Sequence, residues 1–168
     1  FGDDLAARLG RTFREPFWNP WAGCLGDLFR DGTLDTSIRP NQIFAVSLPF
    51  SPLEPAEQAS IVRKVREELL TPCGLRTLSP NHPAYRGRYV GGPAGRDGAY
   101  HQGTVWPWLL GAFGEASLRV ASDPRREREN LRQYLRTFLS RHLAEAGIGS
   151  VSEIFDGKHA PFLSPLVW

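Results

Sequence analysis

The chain has 168 residues, 41% of them hydrophobic and 23% charged, a composition typical of a soluble globular domain and not of a disordered segment. Its formal net charge of +2 comes from 20 basic and 18 acidic residues spread along the chain, so neither nucleic acid nor a membrane surface is expected as a partner. No apolar run approaches the roughly 18 residues of a membrane span, and the N-terminus lacks the apolar segment of a signal peptide, which together predict a cytoplasmic protein.

The first third of the chain predicts two helices separated by a loop. Apolar residues recur at helical spacing over 3–14, so a helix is expected there. The stretch 17–32 mixes aromatic residues and glycines without a period, which predicts an aromatic-rich loop. Pro40 suits the first turn of a helix, and a short helix ending at Pro49 is favoured over residues 43–48. The β-branched residues of this stretch leave a strand as the alternative.

The rest of the chain predicts three longer helices and two long loops. An amphipathic pattern predicts a helix over 54–70, and the glycines, prolines and tyrosines of 76–100 predict a long functional loop. Residues 104–120 are apolar almost all round, which indicates a buried helix. Asp123 as N-cap and Pro124 in the first turn begin a helix that is expected to reach Gly147. A loop is expected from 148 to 168.

The predicted class is therefore all-α, with about five helices joined by alternately short and very long connections. Long loops at one end of a helical array are typical of a barrel of helix pairs. Since no methionine is present, not even at position 1, the chain 1–168 is expected to be a fragment of a longer protein.

Three stretches combine hydrogen-bonding side chains with aromatic ones where loops meet helices. They are Ser-Ile-Arg-Pro-Asn-Gln over 37–42, Arg-Asp-Gly-Ala-Tyr-His-Gln-Gly-Thr-Val-Trp-Pro-Trp over 96–108, and Gly-Ser-Val-Ser-Glu-Ile-Phe-Asp-Gly over 149–157. Sugars need this mixture, because their hydroxyl groups require polar partners while their C–H faces stack on aromatic rings. Cys24 and Cys73 have no neighbouring Cys or His at metal-ligand spacing, so neither a zinc site nor a disulfide framework is predicted.

The run Arg-Pro-Asn-Gln-Ile-Phe-Ala-Val-Ser-Leu-Pro over 39–49 resembles the C-terminal amylo-α-1,6-glucosidase domain of glycogen debranching enzymes. So do Tyr-His-Gln-Gly-Thr-Val-Trp-Pro-Trp-Leu-Leu-Gly over 100–111 and the loop with Ser152 and Glu153, in the family's order. The resemblance covers the chain from about Phe17 to Gly157. It implies an (α/α)6 barrel, of which this chain would supply the C-terminal half. It also implies an enzyme that hydrolyses the α-1,6-linked branch-point glucose with inversion.

The resemblance further implies roles for individual residues. Glu153 falls where the family places its general base, and the general acid would lie upstream of this chain. Inversion needs two such carboxyl groups, about 6.5–9.5 Å apart, and no metal or organic cofactor is implied. The substrate would be glycogen, limit dextrin or a maltooligosaccharide. Seven side chains would line the glucose subsite, with the indole as its stacking platform: Arg39, Asn41, Gln42, Asp97, His101, Gln102 and Trp106.

Two segments depart from the family's pattern. Residues 23–28 stand where relatives show a tyrosine-rich stretch, which brings sugar contacts from that loop into question. The closing helix of the family, with its Gln-Ala-Trp-Ser motif, is not seen in residues 162–168, and this bears on closure of the barrel.

Simpler readings stand beside these roles. A lone glutamate in a Gly/Ser loop is more often a cap or a solvated acid. Arg39 and Asn41 could brace their loop, and His101 could cap the following helix. Trp108 and His142 are expected to pack in the interior, each on an apolar helix face.

Two other functions are compatible with the sequence. The chain could be a helical scaffold or glucan-binding module without turnover, since the second carboxyl group is missing and the helix count is about half that of a barrel. The same barrel could also act on another α-glucoside. In either case a half barrel would expose the apolar flanks of its helices, so self-association is predicted.

Overall fold

The computed structural model describes residues 2–145 and 148–158. The helices are α1 (Gly2–Phe17), α2 (Phe44–Ser47), α3 (Pro55–Glu68), α4 (Pro93–Tyr100), α5 (Leu110–Val120) and α6 (Pro124–His142). The strands are β1 (Trp18–Asn19), β2 (Cys24–Leu25), β3 (Leu28–Arg30), β4 (Thr33–Asp35), β5 (Leu70–Thr71), β6 (Gly74–Arg76) and β7 (Val105–Trp106). Short 3₁₀ turns over Pro40–Ile43 and Pro107–Leu109 lead into α2 and α5.

The core lies where α2, α3 and α5 meet. Ile61 and Val65 on α3 are fully buried, as is Val46 on α2, and the ring of Phe113 on α5 completes the same cluster. These side chains carry the amphipathic pattern that predicts the helices. Burying each one contributes about 1.5–3 kcal/mol, so the contact between the three helices stabilises the elements around it.

Two helices begin at caps that the sequence specifies. Asp123 accepts hydrogen bonds from the backbone N–H groups of Arg125 and Arg126, at 3.0 and 3.1 Å, as its predicted role as N-cap of α6 requires. At the start of α3, Glu57 accepts from the backbone N–H of Glu54 at 3.0 Å and from Arg14 Nε at 2.8 Å. The second bond ties α1 to α3.

The predicted loop over 17–32 is wrong, because two short antiparallel hairpins occupy most of it: β1 with β2, and β3 with β4. Asp31 and Gly32 form the two-residue turn between β3 and β4, with φ angles of 50° and 76°. Positive φ at both positions is the geometry of a type I′ turn, for which Asp-Gly is a favoured pair. The aromatic residues around it obscure this local signal.

The long loop over 76–100 contains a helix that the sequence analysis misses. Pro93 begins α4, which ends at Tyr100. The buried helix expected from Thr104 in turn begins only at Leu110, after a 3₁₀ turn. A residue before proline is biased away from the helical region, so Trp106 is extended and pairs with Leu75 of β6.

Trp108 is not a core residue, contrary to the prediction. It is 62% exposed, and its ring stacks on Phe44 with the centroids 5.9 Å apart. The displacement of the helix start to Leu110 explains this, since the 3₁₀ turn points Trp108 away from the face that carries Phe113. His142 is buried, as predicted, with 6% of its surface exposed.

The expected all-α class is confirmed for the larger elements and needs one correction. Small antiparallel sheets are present beside the helices, the largest being β5–β6–β7 in the described residues. None of the helices over 2–145 is both long and apolar enough to cross a membrane. The helix expected to reach Gly147 ends earlier, at His142, with Leu143 as its C-cap. The segment 162–168, where no closing helix is expected, lies outside the described residues.

Candidate functional site

Arg39 joins two of the three motif stretches. Its guanidinium donates to the backbone oxygens of Thr77 at 3.1 Å and His101 at 2.6 Å, and to the side-chain oxygen of Gln102 at 3.0 Å. Its Nε lies 3.4 Å from a carboxylate oxygen of Asp27, in an ion pair whose side chains are 17% and 20% exposed. Most of its five N–H groups therefore have partners within the protein. The guanidinium of Arg39 thus holds the first and second motif stretches together.

Asp27 also holds Asn41, so the first motif forms one polar network. Asn41 Nδ2 donates to Asp27 Oδ1 at 3.0 Å, and Gln42 Nε2 donates to the backbone oxygen of Arg39 at 3.0 Å. Gln42 is 7% exposed, and its Oε1 has no hydrogen-bond partner among the described residues. Asp27 is itself fixed at the base of the β3–β4 hairpin, where its backbone N–H donates to the oxygen of Asp35 at 2.9 Å.

The second motif forms an aromatic cluster. The rings of His101 and Trp106 are parallel within 4°, with centroids 6.1 Å apart. Tyr100 packs edge-on against both, at 4.9 and 4.8 Å, and its backbone oxygen accepts a hydrogen bond from Trp106 Nε1 at 3.3 Å. That bond fixes the indole in place. Because His101 is exposed and Trp106 only half-buried, the cluster presents aromatic surface on which a sugar face could stack.

Gln102 lines a surface hollow together with Tyr85 and Arg86. Its side-chain oxygen accepts from Arg39, which leaves its amide NH₂ group as a donor. Arg39 itself lines a second hollow, together with Asp27, Asn41, Gln42 and two phenylalanines of α1.

The third motif is attached directly to the second. The backbones of Val105 and Phe155 exchange two hydrogen bonds, of 2.9 and 3.0 Å. Arg76 Nε donates to the backbone oxygen of Gly157 at 3.2 Å. A Cβ at Gly157 would lie 2.3 Å from the oxygen of Gly103, so glycine at position 157 allows these two segments to touch.

Glu153 lies on the loop that pairs with β7, and its side chain is exposed. Two residues after it, the backbone of Phe155 pairs with Val105, the neighbour of Trp106. Burial raises the pKa of the Tyr100 hydroxyl above its ordinary value, and the negative charge of Glu153 raises it further. Glu153 is not among the residues that line either hollow described above.

The fold thus brings most of the predicted residues together, but in different roles. The first motif forms the polar network, which includes Arg39, Asn41 and Gln42. The second motif forms the aromatic cluster with His101 and Trp106, and Gln102 connects the two through its bond to Arg39. Asp97 is exposed on α4, the helix that ends at Tyr100.

Asp27 and His142 are not among the site residues that the sequence predicts. Asp27 sits in a segment that departs from the family's pattern, and its partners come from the later stretch 39–41. Its local sequence carries no sign of this network. His142 looks like a packing residue on an apolar helix face, and its hydrogen bond to the Glu153 loop joins parts of the chain that no periodic pattern connects.

No group of three or more His, Cys, Asp or Glu side chains in the ranges 2–145 and 148–158 is arranged to hold a metal ion.

Comparison with known sequences gives two findings. A family described as amylo-alpha-1,6-glucosidase matches residues 3–164, a range that includes all three motif stretches. The glycogen debranching enzyme of Saccharomyces cerevisiae is 33% identical over 120 residues, which cover 66% of this chain and 7% of the yeast protein. The chain therefore spans a small part of the length of that relative.

Proposed function

Since the chain belongs to the amylo-alpha-1,6-glucosidase family, we propose that it is part of a glycogen debranching enzyme and carries the general base of an inverting glycosidase. The bond cleaved would be the α-1,6 linkage of a branch-point glucose in glycogen or limit dextrin. The observation that carries the proposal is the position of Glu153. It lies on a loop that is bonded to the same strand as Trp106, whose indole belongs to the aromatic cluster.

In this mechanism Glu153 takes a proton from a water molecule as that water attacks the anomeric carbon. A second carboxyl group, supplied by another part of the polypeptide, protonates the leaving oxygen of the α-1,6 bond. The water must fit between the base and the sugar, which is why inverting enzymes hold their two carboxyl groups about 6.5–9.5 Å apart. Asp27 is a poor candidate for the acid, because its oxygens already bind Arg39 and Asn41.

The other motif residues hold the glucose unit in this proposal. Trp106 offers its indole face, and its N–H is already occupied by Tyr100, so stacking is its available interaction. Gln102 offers an amide NH₂ group to a sugar hydroxyl while Arg39 holds the amide oxygen. The main role of Arg39, Asn41 and Gln42 would be to hold Gln102 and the neighbouring backbone in place, and not to contact the sugar. His101 and Asp97, both exposed, remain available for direct contacts with the glucan.

We also propose that the chain forms the C-terminal portion of an (α/α)6 barrel. Large apolar side chains are exposed on its helices and connections, which supports the presence of further helices against them. Leu5 and Leu9, one turn apart on α1, are 52% and 60% exposed, and Phe50 is 94% exposed. Cys24 and Cys73 are both free thiols, which accords with a cytoplasmic location.

The test of the base is glucose release from limit dextrin by the complete gene product that carries this chain. Glu153→Gln keeps the size of the side chain and removes its basicity. The kcat of this variant should fall by about 10²–10⁴-fold, the usual contribution of a general base. Glu67→Gln is the matched control, since Glu67 is an exposed carboxylate on α3. Wild-type release by Glu153→Gln would refute the assignment.

A second candidate function is a glucan-binding scaffold without turnover, which the exposed aromatic cluster alone would support. Maltooligosaccharide binding by the complete gene product, without hydrolysis of any α-glucoside, is the result that would favour it. A third candidate is the same barrel acting on another α-glucoside. A substrate panel separates these possibilities: we expect release from limit dextrin to exceed release from maltose or trehalose.

A further inference from the structure

His142 is a buried histidine at the last residue of α6. It is 6% exposed, and two aromatic rings enclose it. Phe138, one turn earlier on α6, stacks on the imidazole with 5.6 Å between centroids, and Phe155 approaches edge-on at 4.7 Å. An apolar ring would pack equally well at this position. The two ring nitrogens of His142 are costly to bury unless they have polar partners.

One of these atoms holds the backbone of the third motif. The backbone N–H of Ser152, directly before Glu153, donates to His142 Nε2 at 2.9 Å. A nitrogen that accepts this bond carries no proton, so the imidazole is neutral with its proton on Nδ1. Nδ1 faces Glu145 Oε2 at 3.7 Å, a distance too long for a direct hydrogen bond but favourable for an N–H group.

The segment around Glu153 is therefore fixed on both sides. Ser152 is bonded to α6 through His142, and Phe155 is bonded to β7 through the backbone of Val105. Only Glu153 and Ile154 lie between the two attachments. The position of Glu153 relative to Trp106 therefore depends on these two anchors.

We propose that His142 is a positioning residue, whose unprotonated Nε2 holds the Ser152 amide and so sets the place of the Glu153 carboxylate beside the aromatic cluster. The inference rests on the proposed role of Glu153 as general base. A base must lie within hydrogen-bond reach of the attacking water. A displacement of about 1 Å can cost on the order of 10²-fold in rate.

Two substitutions separate positioning from packing. His142→Phe keeps a ring for Phe138 and Phe155 and removes the acceptor, whereas His142→Gln loses the ring and keeps a side-chain acceptor. In the complete gene product, His142→Phe should lower the kcat for limit dextrin by about 10- to 100-fold with KM unchanged, and His142→Gln should recover much of that loss. A Phe variant as active as the Gln variant, or more active, would overturn the proposal.

Hydrogen–deuterium exchange gives a readout that does not depend on activity. Peptides spanning 150–155 should exchange faster in His142→Phe than in the wild type, and His142→Gln should lie between them. Leu139→Ala is the matched control, since it removes a partly exposed side chain from the same end of α6 and should leave this exchange unchanged. Wild-type exchange in His142→Phe would overturn the attachment itself.

The two assays together distinguish this proposal from the proposed function. If Glu153→Gln keeps full activity while His142→Phe speeds exchange, the attachment exists but Glu153 is not the base. If Glu153→Gln loses activity while His142→Phe behaves as the wild type, the base stands and the positioning role is refuted. Should the variants fail to fold, nitrogen NMR of wild-type His142 decides, because a proton on Nε2 would exclude the bond to Ser152.

Discussion

Gly103, in the middle of the second motif, should tolerate no side chain. Its φ of 142° lies in a region that residues with a Cβ rarely adopt. A Cβ at this position would stand 2.6 Å from the backbone oxygen of Arg86 and 2.7 Å from the ring of Tyr85. The backbone of Arg86 cannot rotate away as a flexible side chain would, since its N–H donates to the oxygen of Gln102. Gly103→Ala therefore forces these segments apart.

Two separate costs determine the size of this effect. The strained backbone conformation costs about 1–3 kcal/mol, and forcing a methyl group into an occupied space costs about 1–3 kcal/mol more. For a chain of this length, each kcal/mol lowers the melting temperature by about 2–4 °C. Gly103→Ala should therefore melt on the order of 10 °C below the wild type.

The assay is thermal unfolding followed by circular dichroism, at a protein concentration low enough to suppress association. Gly111→Ala is the control, because a Cβ at Gly111 on α5 would meet nothing within 4 Å. Alanine has the higher helix propensity, so this variant should be neutral or more stable by up to about 1 kcal/mol. A Gly103→Ala protein with the same melting temperature as Gly111→Ala would refute the close contact between residues 85–86 and 103.

Three further predictions concern other parts of the chain. Asp123→Ala removes the N-cap of α6 and should lower the free energy of unfolding by about 1 kcal/mol, measured by urea denaturation; an unchanged midpoint would contradict the cap. Burial raises the pKa of the Cys73 thiol from its ordinary 9.0 to about 11, so in Cys24→Ser protein alkylation should be slow at neutral pH and accelerate towards that value. Because the folded state favours the protonated thiol of Cys73, the stability that this thiol contributes should be lost as the pH rises from 9.0 through about 11. A Cys73 thiol that is already fully reactive at neutral pH would contradict the raised pKa. The isolated chain should self-associate in sedimentation experiments, and Trp108→Ser should reduce this association. A sharp monomer peak of the unsubstituted chain at high concentration would count against the prediction.

Local signals specify the elements that could be predicted from the sequence. The Asp123-Pro124 pair and the apolar stripe that follows it predict α6, and the structure confirms both. The β3–β4 hairpin was also within reach, since Asp31-Gly32 is a strong turn signal. The aromatic residues and glycines around this pair follow no period, and they predict only an aromatic-rich loop.

Other features depend on contacts that no local pattern encodes. The 3₁₀ turn at Pro107 delays the start of α5 and turns Trp108 outward, whereas its apolar neighbours alone predict a buried helix. The family's motif order predicts that Arg39 and Gln102 belong to one site. It does not predict the ion pair of Arg39 with Asp27, because Asp27 lies in a segment that differs from the family's pattern.

We propose that a water molecule activated by Glu153, and not a protein side chain, attacks the branch-point sugar. Proton NMR of the glucose released from limit dextrin by the complete gene product, recorded before the anomers equilibrate, tests this step. The first product should be β-glucose, because one displacement by water inverts the α configuration. Initial release of α-glucose would refute the mechanism, since retention requires a covalent intermediate with the carboxylate as nucleophile.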